Sequence, residues 1–385
     1  MALLLTTTAL FLGWLLAERI RLDRARRRVP LRISVTGTRG KSGTARMLGA
    51  MLRSEGLRVV VKTTGSEASL VLPDGRVELL PRSGVPSILE QRDLIRRCAR
   101  LGADVLVAEI MSIHPENHRA EGIRILQPQT VLFTNARPDH VDAMGWDERA
   151  VGGVLLASVP QDSQLLLSPS LSPLLRRLAA EHGVGSVHIA GGEEASAGIG
   201  APFRDNACLA AAAARLAGAG EESVRAGLAA WKEDAGGLRA WRLDRLDAAG
   251  PIYVVSAFSA NDPLSTREAF DHARHRLSEP MPCTGLLTLR SDRADRTLHW
   301  IRDLEERGFP GLDPLFAVGT QAGLVARRVP GVRTLQGSDP RTLTRRAGIA
   351  GRGQGPRMLF GLGNFKGLGE ALASWWAEEG VPLEL

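Results

Sequence analysis

The 385-residue chain is 44% hydrophobic and 24% charged, a balance that suits a protein with a sizeable core and excludes both a disordered chain and a polytopic membrane protein. Its 49 basic against 42 acidic residues leave a formal charge of +7, which points to anionic partners. Aromatics are only 4% and no basic run interleaves with them, so a nucleic-acid platform is not expected.

The first element is MALLLTTTALFLGWLLA, residues 1–17, followed at once by ERIRLDRARRR. This length reaches the lower limit for spanning a bilayer, and Trp14 sits near the charged end. A cleaved signal peptide would carry its positive charges ahead of the apolar run. The expectation is one membrane helix with Arg19–Arg28 on the cytoplasmic side, the N-terminus outside and the catalytic body in the cytoplasm at the cell membrane. An amphipathic helix lying on a surface is the alternative.

LRISV then reads as a buried strand, SGTARMLGAMLRSEG as a helix stopped at Gly56, and LRVVV as a second strand. Together they form a βαβ unit, which implies a parallel sheet with a right-handed crossover. Between the first strand and the helix runs TGTRGKS. Gly37 and Gly40 permit a tight turn whose N–H groups can surround a phosphate, and Thr38 and Arg39 lie between them. Lys41 offers a point charge and Ser42 a hydroxyl for Mg²⁺. Val35 stands where the full phosphate-loop motif has its first glycine, so the loop is a shortened one. An ordinary glycine-rich turn is the competing reading.

DVLVAEI and TVLFT are the next strand candidates. Each ends in polar chemistry, where ligands of open α/β sheets bind. Glu109 closes the first and can help hold Mg²⁺; a solvated strand-end carboxylate is the plainer alternative. The second runs into Asn135, Asp139, His140 and Asp142, where His140 is a metal ligand, a general base or a surface histidine of a turn. NACLAAAAARLAGAGEESVRAGLAAW predicts two helices joined by a glycine-rich turn. Near Gly236–Ala240 the texture changes, and PIYVVSAFS, TGLLTLRSD, DPLFAVG and RMLFGLGN carry a second α/β pattern. Cys98, Cys208 and Cys283 are isolated, so neither a disulfide framework nor a structural zinc site is expected, and the catalytic part reads as reduced. Only four lysines occur (Lys41, Lys62, Lys232 and Lys366), which makes each informative.

GTRGKS, a strand-end glutamate and TNARPDHVDAMG, in that order and spacing, resemble the Mur ligase superfamily of ATP-dependent amide ligases, and the likeness runs from about Leu31 to the C-terminus. NACLAAAAARLAG, GGLRAW and SAFSANDPLST are similar to further family segments. The membrane helix, RSGVPSILEQ, LRSDRADRT and GLGNFKGLGE look like the ligase subunit of poly-γ-glutamate synthase. There are departures. The chain passes from anchor to phosphate loop without a UDP-sugar domain. No lysine lies between Lys62 and Lys232 to serve as the carbamylated metal bridge. Asn261-Asp262-Pro263 lacks the family's histidine.

The resemblance implies an α/β fold: a membrane anchor and basic segment over 1–30, an ATP-binding Mur ligase-like central domain with a mainly parallel sheet over 31–238, and a smaller Rossmann-like C-terminal domain over 239–385. It implies ATP and Mg²⁺, with Lys41, Glu109 and His140 catalytic and Ser42, Glu109 and His140 around the metal. ATP would meet Gly37, Thr38, Arg39, Gly40, Lys41, Ser42, Asn206, Arg239 and Asp262. Arg290, Arg293 and Arg296 are substrate candidates, since guanidinium groups bind carboxylates bidentately; a solvated basic face is the alternative. The expected reaction joins glutamate to a growing polyglutamate chain through an acyl phosphate, in a complex with membrane subunits and without nucleic acid. A ligase for another amino acid, or a membrane-tethered P-loop NTPase, are the other readings.

Overall fold

A computed structural model describes the chain apart from residues 65–67, 81–85, 192–202, 232–236, 245, 247–249, 278–280 and 351–354. Parts of two signature segments, residues 82–85 and 232–236, therefore lie outside the described residues. The chain forms two compact units. The first takes the described residues of 1–138, 143–198 and 203–231; the second takes Asp139–Asp142 and the described residues after Trp231. The expected boundary at 238/239 thus falls a few residues late, in a stretch that ends outside the described residues.

The first unit is built on eight strands: β1 (Leu31–Thr36), β2 (Val59–Thr63), β3 (Ser69–Val71), β4 (Val77–Leu79), β5 (Val105–Glu109), β6 (Thr130–Phe133), β7 (Gln164–Leu167) and β8 (Ser186–Ile189). Their order is β4-β3-β2-β5-β1-β6-β7-β8. The strands from β2 through β8 in that list run parallel, while β3 and β4 turn back antiparallel at one edge. The interior strands are continuous apolar runs because both faces of a parallel sheet are covered. β1 lies between β5 and β6, with Val35 opposite Glu109 and Thr36 opposite Phe133. That register brings three carboxyl-terminal strand ends to one place.

The N-terminal helix is a single element, Ala2–Arg27, long and apolar enough to cross a membrane by length and composition. Its first half is exposed throughout. Its second half departs from the expectation of a free basic segment. Leu22, Ala25 and Val29 enter one core cluster with Val60, Leu94, Ile95, Cys98 and Leu106. Glu18 accepts hydrogen bonds from Arg92 and Arg96 on the helix Glu90–Leu101. Arg26 is 6% exposed and donates to the carbonyls of Ile125, at 2.8 Å, and Arg124. Arg32 donates to the carbonyls of Val29 (2.9 Å) and Gln127 (2.9 Å). Guanidinium donors satisfied by main-chain acceptors can be buried where free charges cannot. A boundary at residue 30 therefore cuts through packed structure.

The second unit carries seven strands: β9 (Arg239–Leu243), β10 (Ile252–Ser256), β11 (Cys283–Leu289), β12 (Leu315–Gly319), β13 (Val332–Thr334), β14 (Arg357–Gly363) and β15 (Val381–Leu383). Their order is β13-β12-β11-β14-β10-β9-β15, parallel from β13 to β10, with β9 antiparallel to both its neighbours. Successive side chains alternate between two cores. Val255, Leu287 and Phe360 pack with Phe270 and Trp300 on one face; Val254, Leu286 and Leu359 pack with Phe258 and Trp376 on the other.

Candidate nucleotide and metal site

β1 hands the chain to a loop that only glycine permits at two positions. Gly37 has φ +134° and Gly40 φ +76°. A Cβ on Gly37 would run into the Thr134 hydroxyl, and one on Gly40 would lie 2.5 Å from Asn206 Oδ1. Gly40 caps the helix Lys41–Ser54, whose first-turn N–H groups have no partners within the helix. Residues 134 and 135, beyond β6, brace the loop. Thr38 N donates to the Asn135 carbonyl (3.0 Å), and Thr38 Oγ1 and Arg39 N donate to Asn135 Oδ1 (2.8 and 3.1 Å). Thr134 Oγ1 and Asn135 Nδ2 donate in turn to the Arg39 carbonyl (2.7 and 3.1 Å).

Lys41 Nζ donates to the Gly37 carbonyl at 2.8 Å and lies 3.9 Å from Glu109 Oε1. Ser42 Oγ donates to Glu109 Oε2 at 2.7 Å, and the same oxygen accepts from Thr64 N at 2.7 Å. Glu109, 4% exposed, ends β5. A hydroxyl and a carboxylate in contact are the hard oxygen donors that suit Mg²⁺, an ion that keeps waters and phosphate oxygens in its remaining positions. The donor set fits. Among the described residues no group of three or more His, Cys, Asp or Glu side chains could hold a metal by itself.

Of the expected metal ligands, Ser42 and Glu109 belong to the first unit and are in contact, while His140 belongs to the second. His140 has φ +46°, an uncommon backbone for a residue with a side chain, and its Nε2 lies 3.9 Å from Asp139 Oδ2. Burial lowers its pKa; Asp139 opposes that shift and Arg293 and Arg296 add to it. Arg293 donates to Asp139 at 3.0 Å and pairs with Asp295. Burial works against the Arg293 charge, but Asp295 and Asp139 outweigh it and raise the pKa. Arg296 donates to the side-chain oxygens of Asn261 (2.9 Å) and Asn364 (3.2 Å). Arg290 stands apart, paired with Asp292.

Asn206 lies beside the phosphate loop, near the start of the helix Arg204–Leu216. Arg239 opens β9 opposite Ser256, at the carboxyl end of β10, and is exposed. Asp262 proves to be a buried helix cap: its oxygens accept from Ser265 N (2.9 Å) and Ser265 Oγ (2.6 Å), ahead of the helix Pro263–Arg276. Two buried residues near the loop escaped the sequence reading, His118 at 2% and Glu121 at 0% exposed. Their only signal was a run of polar residues, HPENHRAE, beginning five residues after the strand-end Glu109.

Residues 35–150 match the Mur ligase middle domain, and residues 243–379 match the poly-γ-glutamate synthase CapB C-terminal domain. The chain is 28% identical over 283 residues to the capsule biosynthesis protein CapB of Bacillus anthracis, covering 72% of this chain and 61% of that one. It is 27% identical over 287 residues to the PGA synthase CapB of Bacillus subtilis, covering 72% of each. The Mycobacterium tuberculosis folylpolyglutamate synthase complexed with ADP and AMPPCP superposes with a TM-score of 0.65 at 18% identity, over 97% of this chain and 99% of that one.

Proposed function

This chain, a member of the Mur ligase superfamily, joins a Mur ligase middle domain to a CapB-type C-terminal domain, and from that premise we propose that it is an ATP-dependent ligase that makes poly-γ-glutamate. A carboxylate oxygen of the acceptor chain attacks the γ-phosphorus of ATP, the bond to the β-phosphate oxygen breaks, and ADP leaves an acyl phosphate. The amine of an incoming glutamate then attacks the acyl carbon, loses a proton and expels phosphate, leaving an amide.

The observation that carries this reading is the contact of Lys41 and Ser42 with Glu109 at the adjoining ends of β1 and β5. Lys41, beside the Gly37 carbonyl and the Glu109 carboxylate, turns to meet the phosphate oxygens, and the loop N–H groups face the same charge. Ser42 and Glu109 would hold Mg²⁺, with His140 as third ligand, and the bound ion would supply positive charge for the phosphoryl group. Asn206 contacts the adenine, Arg239 and Asp262 serve the nucleotide from the second unit, and Arg290, Arg293 and Arg296 receive substrate carboxylates. Residues 1–17 cross the membrane once, the catalytic units lie on the cytoplasmic side, and membrane subunits of a synthase are the partners.

The test is nucleotide turnover by detergent-extracted protein with ATP and Mg²⁺, with and without glutamate. Glutamate-dependent release of ADP and phosphate is expected. Release indifferent to glutamate would mean a nucleotide hydrolase, and AMP as product would rule out the acyl phosphate.

A further inference from the structure

The helical stretch 115–126 takes no part in the reaction just described, yet it carries two enclosed titratable side chains, His118 and Glu121. It begins as the helix Pro115–Arg119 and continues as a π-helical segment, Ala120–Leu126, a rare geometry found disproportionately at functional sites.

Glu121 gathers the chain that follows Glu109. Its carboxylate accepts from Met111 N (3.1 and 3.2 Å), Ser112 N (2.9 Å), Ser112 Oγ (2.5 Å) and Gln91 Nε2 (2.5 Å). Gln91 Nε2 reaches the Glu109 carbonyl as well, at 3.3 Å. His118 takes hold of the same loop from the other side. Its Nδ1 lies 3.0 Å from the Ser112 carbonyl and so carries a proton, because a carbonyl can only accept. Its Nε2 faces Thr36 Oγ1 at 3.2 Å. Thr36 is fully buried and ends β1; the next residue, Gly37, supplies the carbonyl on which Lys41 rests. An unbroken set of hydrogen bonds thus runs from the main chain at Glu109 to the base of the phosphate loop.

We propose that His118 and Glu121 are positioning residues that tie the strand end bearing Glu109 to the strand end bearing the phosphate loop, fixing the spacing of Lys41, Ser42 and Glu109 for nucleotide. This rests on the nucleotide-site reading above. Thr36 Oγ1 donates to the bare Nε2 of the neutral ring, the form that burial favours. Burial lowers the His118 pKa and Lys41 adds to that, while the Ser112 and Leu155 main chain and the Glu121 charge oppose it.

The test is binding of Mg–ADP, measured by calorimetry, beside steady-state kinetics. Thr36→Val keeps the volume of β1 and removes only the hydroxyl, so it reports even where His118→Ala does not fold. Thr36→Val and His118→Ala should each weaken Mg–ADP binding about ten-fold, the scale of one hydrogen bond, and leave the KM for glutamate unchanged. The double variant should be no weaker than His118→Ala alone. Wild-type affinity in Thr36→Val, or two additive losses, would overturn the proposal. Because ADP binding needs no glutamate, these outcomes are independent of whether the chain proves to be a ligase.

Discussion

Lys41 donates to a main-chain carbonyl and stands 3.9 Å from the buried Glu109 carboxylate, with its own side chain 20% exposed, so its loss removes one partly exposed ion pair from the fold. Lys41→Ala should lower turnover by about 10²–10³-fold, the usual loss when a preorganised charge is removed from a transition state, and lower the thermal midpoint by a few degrees at most. Kinetics and a melting curve on the same preparation decide it; retained turnover would remove the phosphate-loop reading. Residues of this kind were legible in advance. Gly37, Lys41, Ser42 and Glu109 combine a chemical type with a strand end, and both are visible in a sequence. His118 and the bracing role of Asn135 were not, because Thr36 lies 82 residues from His118 and Thr38 lies 97 from Asn135. Asp262 was read as a nucleotide contact and not as a helix cap, although Asp-Pro ahead of a helix is a capping signal.

Among the elements, the sequence yielded β1, β2, β5, β6, β10, β11, β12 and β14. It missed β3, β4, β13 and β15, each three residues long and too short for any period to show, and also the four-residue β7 and β8 and the five-residue β9. It also divided the N-terminal helix correctly by composition and wrongly by packing, since Leu22, Ala25 and Val29 form an apolar stripe inside a basic run. The two halves of this helix should respond differently to truncation. Deleting 1–17 should release the protein from membranes and leave its stability intact. Deleting 1–30 should cost about 3–5 kcal/mol for the uncovered Leu22 and Val29 sites. Cys98 is the reporter, since it lies in that cluster and burial pushes its thiol pKa up to about 12. It should resist thiol reagents in the native and 1–17-deleted proteins and react in the 1–30 deletion. Labelling of Cys98 in the intact chain would refute the packing.

At the scale of the molecule, acid destabilises both units. His118 in the first unit and His140 in the second both have folded pKa values lowered from 6.5 by burial. Below pH 6.5 the unfolded chain binds protons that the folded chain refuses, so stability is complete above 6.5 and declines as pH falls. Denaturant midpoints at pH 7.5 and pH 5.5 should show that decline, and equal midpoints would mean that neither imidazole is held neutral.

The helix Ala2–Arg27 contains no glycine after Gly13 and no proline, and it is gripped at Glu18, Leu22, Ala25 and Arg26. On the proposed topology, a bilayer holding its first half sets a compass bearing for the first unit, because the helix between them is unbroken. Each alanine inserted ahead of Glu18 turns that bearing by about 100° and lifts the unit by about 1.5 Å. On the proposed function, polymer yield from membranes carrying the protein should then rise and fall with insert length at a period near 3.6 residues, and a smooth decline would show that the bearing is of no consequence.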